Sequence, residues 1–210
     1  MKRSDSRRFA RNLSACWKRA NPSHMNQGLT WYARANTTAG EFAIRFDCSV
    51  EQACGVIAAL SPGRNWDLNL LDAGQFIEAW SKGERGRDLP RVGSYGRRNL
   101  AKAGKIMQGK LPLDVLRGLK VRAFYSCMID PENSRDVCVD RHAKSAAYGR
   151  KLGDRESVVK KSEYSHLAEH YRKLAESVGI LPHQAQAVIW CVWRGLKGNL
   201  DQQDLFPGGV

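Results

Sequence analysis

The chain has 210 residues, of which 42% are apolar, and carries 34 Lys and Arg against 21 Asp and Glu, a formal charge of +13 with a pI near 9.7. That length supplies one substantial core, or two small lobes sharing a groove. No apolar run approaches the roughly 18–20 residues of a membrane span, and the basic N-terminus lacks the uninterrupted apolar stretch of a secretory signal, so the expectation is a soluble, cytoplasmic monomer of prokaryotic or viral origin with no membrane partner.

Taken in chain order, the elements read as helices. Residues 8–20 are basic and place Phe9, Leu13 and Trp17 at i, i+4 and i+8, the spacing of one helical face. Pro22 breaks that pattern, and a second helix, from about residue 24 to Phe46, carries Leu29, Tyr32 and Ala33. Ser49 and Gln52 have capping-box spacing, which predicts a helix through Leu60. Ser61-Pro62-Gly63 is a turn signal. A helix over 64–82 follows, with Trp66, Leu70, Ala73, Ile77 and Trp80 along one side.

The stretch GERGRDLPRVGSYG is a polar, glycine-rich loop, and helix returns over 97–108. Leu111-Pro112-Leu113 opens a short helix that stops at Gly118, and another starts almost at once, from Lys120 to about Ile129. After the loop DPENSRDV, Asp140 caps a helix to about Leu152. Segments 162–178 and 183–196 complete the fold. Strand-like alternation is confined to a few residues around Cys138, so the predicted class is all-α. Residues 50–144 are expected as one lobe, 1–49 with 145–198 as the second, and 199–210 as a flexible tail.

The six cysteines form no CxxC pair, and no zinc-finger spacing follows Cys48 and Cys54. They read as reduced thiols acting as small hydrophobes, with no metal and no cofactor implied. His166 and His170 share a helical face but lack an obvious third ligand, and a solvated face is the favoured reading. The positive charge points to a polyanionic partner, of which nucleic acid is the commonest inside cells. The rival, a membrane surface, would need a basic amphipathic helix standing apart from the fold. The cluster Arg97, Arg98, Lys102, Lys105 and Lys110 fits a DNA backbone and a solvated face equally well.

The densest signal lies in residues 116–149. A short helix stops at Gly118, a second begins, and Lys120 sits in its first turn. Asp140 follows twenty positions later as the N-cap of the next helix. At this spacing the helix runs away from the turn and the loop returns, so Asp140 can come back beside Lys120. Such a pair suits chemistry at a sugar anomeric carbon. An unprotonated lysine amine can attack C1′ and form a Schiff base, and burial or neighbouring cations, here Arg117, Arg122 and Arg141, favour the unprotonated form of an amine. A carboxylate can stabilise positive charge on the sugar or assist proton transfer. Free N–H groups at the Gly118 turn suit a phosphate. Taken singly, Lys120 also reads as an ordinary first-turn lysine and Asp140 as an ordinary cap.

The segment Gly118-Leu119-Lys120 followed by Asp140-Arg141-His142 resembles the helix-hairpin-helix DNA glycosylases, in particular the lysine-bearing 8-oxoguanine glycosylase/AP lyases. Ala58-Ala59-Leu60-Ser61 with Trp66 and Asn69, and Gln186-Ala187-Val188-Ile189-Trp190, extend the resemblance over residues 50–195. It implies two helical lobes flanking a cleft, Lys120 and Asp140 as catalytic residues, and DNA as partner. Contacts to DNA would come from Arg117, Gly118, Arg122, Arg141 and His142. A flipped base would meet Ser61, Asn65, Trp66, Gln186 and Trp190. The turn is shorter than the family's usual Gly-x-Gly hairpin, and Gln186 stands where the family usually has Asp.

Three functions are compatible with these residues. The leading one is excision of a damaged or modified base, with AP lyase activity. A second keeps the fold but modifies the base in place, by displacing pyrophosphate from a hydroxymethyluracil derivative. The third is a non-catalytic DNA-binding module.

Overall fold

The computed structural model describes residues 3–195, and among these it is all-helical, with no strand. The helices in chain order are α1 Arg3–Trp17, α2 Pro22–Phe46, α3 Val50–Leu60, α4 Trp66–Ser81, α5 Arg97–Met107, α6 Pro112–Val115, α7 Leu119–Ile129, α8 Arg141–Tyr148, α9 Asp154–Ser157, α10 Lys161–Val178 and α11 Pro182–Gly195. No helix among the described residues is long and apolar enough to cross a membrane. The expected tail, 199–210, lies outside the described residues.

Local chemistry sets most helix ends. Ser49 accepts from the Gln52 N–H at 3.0 Å, while the Gln52 side chain accepts from the Ser49 N–H at 3.0 Å, completing the predicted capping box. Two of the expected helices depart from expectation by three residues or more. The first helix starts at Arg3 and stops at Trp17 instead of spanning 8–20, and its buried stripe is Phe9, Leu13 and Cys16, with Trp17 only half-buried. The helix capped by Asp140 stops at Tyr148 instead of near Leu152, because Gly149 adopts the left-handed conformation and bonds back to Ala146 and Ser145.

Two compact units emerge: residues 3–33 with 130–195, and residues 34–129. These limits differ from the lobes read from sequence, 50–144 and the remainder, and the reason is hydrogen bonding and packing. Residues 34–46 join the second unit because the Asn36 amide donates to the Met128 carbonyl at 2.8 Å and Phe42 lies against Gly74 of α4. Residues 130–139 join the first because Tyr164, Arg172 and His183 bond to the carbonyls of Val137, Arg135 and Pro131.

In the first unit, α1, α8, α10 and α11 pack around Phe9, Leu13, Leu167, Tyr171 and Ile189. Helix α2 approaches α11 so closely that a Cβ on Gly28 would stand 2.4 Å from the Val188 Cα. The second unit is built on α3, buried from Ala53 to Leu60, with α4, α5, α6 and α7 packed on it. The Gln52 amide reaches the last carbonyls of α5, at 3.4 Å to Ile106 and 3.2 Å to Met107, so the cap of one helix also closes the end of another.

Candidate functional site

Lys120 belongs to the second unit and Asp140 to the first.

In the second unit, Pro112 opens α6, and Leu116 leaves it in an extended conformation, φ −68° and ψ 135°. Gly118 then takes φ +83°, which an L side chain rarely holds, and turns the chain into α7. The Arg122 N–H bonds to the Gly118 carbonyl at 3.1 Å, so Lys120 is the second residue of α7, where backbone N–H groups have no acceptor within the helix. Lys120 is half-buried and Arg117 exposed. Arg122, expected to face DNA, is half-buried, and its guanidinium donates to the carbonyls of Leu113 and, at 3.4 Å, Leu116.

The base-pocket residues predicted in this unit are used by the fold. The Ser61 hydroxyl donates to the Ala58 carbonyl at 2.9 Å at the end of α3, and Asn65 Oδ1 caps α4 by accepting from Leu68 N–H at 2.9 Å. Trp66 is half-buried and meets Phe124 edge to face, with ring centres 6.5 Å apart. The pair Arg64–Asp72, which no local pattern announces, lies beside this turn. The guanidinium bonds to both carboxylate oxygens, at 2.6 and 3.2 Å, and Asp72 also accepts from Gly93 N–H at 3.1 Å.

In the first unit, Asp140 is the N-cap of α8. Its Oδ1 accepts from Ala143 N–H at 2.7 Å, and Oδ2 makes no hydrogen bond among the described residues. Two buried tyrosines of α10 hold the backbone on either side of it. The Tyr164 hydroxyl donates to the Val137 carbonyl at 2.7 Å and accepts from Val139 N–H at 3.2 Å, and the Tyr171 hydroxyl donates to the Ala143 carbonyl at 2.9 Å. Burial, reinforced by the Cys16 and Asp140 charges, pushes the Tyr171 phenol well above its ordinary range, so it stays a donor.

Arg141, the first residue of α8, is exposed. His142 follows it and meets Trp190 edge to face at 6.2 Å, and the Arg194 guanidinium lies 4.6 Å from the Trp190 ring centre. The structure thus brings together three predicted residues, Asp140, His142 and Trp190, in one unit. Gln186 lies one turn back on α11 and is buried, its Oε1 accepting from the Tyr32 hydroxyl at 3.5 Å.

Sequence reasoning missed His183 and gave Tyr32 only as an apolar helix position. The Tyr32 and His183 rings meet edge to face at 5.0 Å, and His183 Nε2–H donates to the Pro131 carbonyl at 3.0 Å. Its Nδ1 is buried with no hydrogen-bond partner among the described residues. Burial lowers the His183 pKa, against the opposing effect of the Pro131 bond and the Asp130 charge, and favours the neutral ring. The one available signal was spacing, since His183 precedes Gln186 by three residues on the same helix.

The pair His166 and His170 stands apart from these residues. Their Nε2 atoms are 3.3 Å apart, and His170 Nε2 is 3.1 Å from the Ser6 hydroxyl. Burial first, then the His166 charge, lowers the His170 pKa. Among the described residues no group of three His, Cys, Asp or Glu is placed to hold a metal ion.

A family model, described as a family of unknown function (DUF7178), matches residues 1–197. No curated protein and no solved structure matches the chain.

Proposed function

Given that the chain belongs to the DUF7178 family, whose function is unknown, we propose that it binds DNA and processes a base in it, as an enzyme of the helix-hairpin-helix glycosylase type. In this reading Lys120 is the nucleophile, Asp140 the charge-stabilising carboxylate, and no cofactor takes part. The observation that carries it is Asp140: one carboxylate oxygen caps α8 and the other makes no bond within the described chain. Two tyrosine hydroxyls meanwhile hold the backbone on both sides of it. A group positioned so firmly with acceptor capacity left over is suited to a developing positive charge.

The chemistry follows from the residue types. The Lys120 amine attacks C1′ and the glycosidic bond breaks. The base leaves with the bonding electrons and takes up a proton, and loss of the amine proton with ring opening leaves a Schiff base. The +13 charge supports a polyanionic substrate. The positive-φ turn at Gly118, leading directly into the N-terminus of α7, suits a backbone phosphate.

The test is borohydride trapping on duplexes carrying a panel of modified bases, with mass spectrometry of the nucleosides. The expected result is a covalent adduct and a released base with the wild-type chain, no adduct with Lys120→Gln, and a loss of about a hundredfold or more in turnover with Asp140→Asn while binding persists. An adduct that survives Lys120→Gln refutes Lys120 as the nucleophile, and the absence of any adduct with the wild-type chain refutes the Schiff-base step. An altered base that stays attached to the sugar refutes excision.

A further inference from the structure

We propose that the segment from Lys82 to Arg98, together with the exposed face of α5, is a docking surface for the sugar-phosphate backbone of DNA, on which Tyr95 stacks against an unpaired base. The proposal rests on the reading of DNA as substrate and adds the surface that holds it.

From Lys82 to Lys105 the chain has eight basic residues and two acidic ones, Glu84 and Asp88. Three of the basic side chains serve the fold. Lys82 pairs with Glu78 at 2.8 Å, and Lys102 donates to Asn99 Oδ1 at 3.1 Å. Arg85 lies 3.8 Å over the Trp80 ring and donates to the carbonyls of Trp80 and Glu84. The other five, Arg87, Arg91, Arg97, Arg98 and Lys105, are exposed, and none has an ion-pair partner among the described residues. On α5 the opposite face is buried through Asn99, Ala103 and Ile106, so Arg98 and Lys105 share the outward one. Five like charges against two carboxylates, none of them ion-paired among the described residues, leave a net positive surface, and a chain of phosphates supplies the opposite sign.

The segment is pinned. The Ser94 hydroxyl donates to the Gly63 carbonyl at 2.9 Å, Gly93 N–H donates to Asp72, and Val92 is buried. Asp72 is itself held by both bonds from Arg64. From Val92 to Ser94 the ordering cost that a loose loop would incur on binding is therefore met beforehand. Between Arg91 and Arg97 this arrangement presents Tyr95, which is 65% exposed and has one ring edge beside Gly63. Exposing that much aromatic surface amid guanidinium groups suits stacking on a nucleobase, which every base can accept through its π face.

The experiment is fluorescence anisotropy with the full chain, using an intact duplex, a duplex with a one-nucleotide gap, and single strands of DNA and RNA, each over a salt series. Combined Arg97→Ala and Arg98→Ala is expected to weaken intact-duplex binding on the order of tenfold and to flatten the log K against log salt slope by about two. Tyr95→Ala is expected to weaken gapped-duplex binding about tenfold or more with the slope unchanged, and Tyr95→Phe to retain it. All of these side chains are exposed, and unchanged urea midpoints confirm that the variants fold. The surface is refuted by unaltered affinity and slope in the arginine variant, by tighter binding to RNA than to every DNA, or by no DNA binding at all. Altered slopes without base chemistry leave the surface standing and remove the enzymatic reading. Base release that survives with unaltered slopes does the reverse.

Discussion

Replacing Lys144 with Met removes the cation of an ion pair buried in the first unit, where the side chains are only 6% and 13% exposed. Lys144 Nζ lies 2.8 Å from Glu163 Oε2 and donates to the Val158 carbonyl at 3.0 Å, while Tyr148 donates to Glu163 Oε1 at 2.7 Å. Met fills nearly the same volume, so little cavity forms. What remains is a buried carboxylate with one neutral donor and a carbonyl without its ammonium. Breaking a buried pair from one side costs about 3–5 kcal/mol, well above the roughly 0–1 kcal/mol of an exposed pair. Adding Glu163→Gln to Lys144→Met removes the stranded charge, and the double variant is expected to regain most of the loss, ending about 1–2 kcal/mol below wild type. The assay is urea unfolding at pH 7 followed by circular dichroism, reading the shift in midpoint at constant slope. A loss under about 1 kcal/mol in Lys144→Met, or a double variant no more stable than the single, refutes the view that this pair holds α8 against α10.

Tyr164→Phe removes the hydroxyl that serves both Val137 and Val139. It is expected to cost about 1–3 kcal/mol, read as a lower urea midpoint, because both backbone groups lose their buried partner. Gly28→Ala forces a Cβ to within 2.4 Å of the Val188 backbone. Since backbone cannot move aside as a flexible side chain can, the expected loss is about 3 kcal/mol or more, read as a lower urea midpoint. His170 and His183 both have pKa values lowered from 6.5 by burial. Below about pH 6.5 the unfolded chain therefore binds protons that the folded chain refuses, so stability is full above that pH and falls as pH drops toward the folded values. Urea midpoints between pH 5 and 7.5 should show this slope, and His183→Gln, whose amide can still donate to Pro131, should reduce it. An unchanged slope in that variant places the acid sensitivity elsewhere.

What the amino-acid sequence determined is what lies within about one helical turn along the chain. Ser49 with Gln52, Asp140 before its helix, and Pro112 opening α6 each act on backbone groups three or four residues away. The all-helical class and most helix positions were legible for that reason. Gly149 was the missed local signal, and the helix capped by Asp140 was read too long because the apolar pattern continues past a glycine that ends it. Tertiary structure decided the pairings between residues far apart in the chain. Nothing around Tyr164 or Tyr171 marks them as holding the backbone beside Asp140, and nothing in Lys144 or Arg64 names Glu163 or Asp72 as partner. Gly118 and Lys120 announce a hairpin, but the turning of Arg122 back onto Leu113 and Leu116 depends on how α6 meets α7. Charge and residue type gave Lys120 and Asp140 as candidates. Packing decided which neighbouring groups the fold consumes and which, such as Asp140 Oδ2, it leaves without a hydrogen bond among the described residues, because desolvation acts on whatever the folded chain brings into contact rather than on what adjoins in sequence.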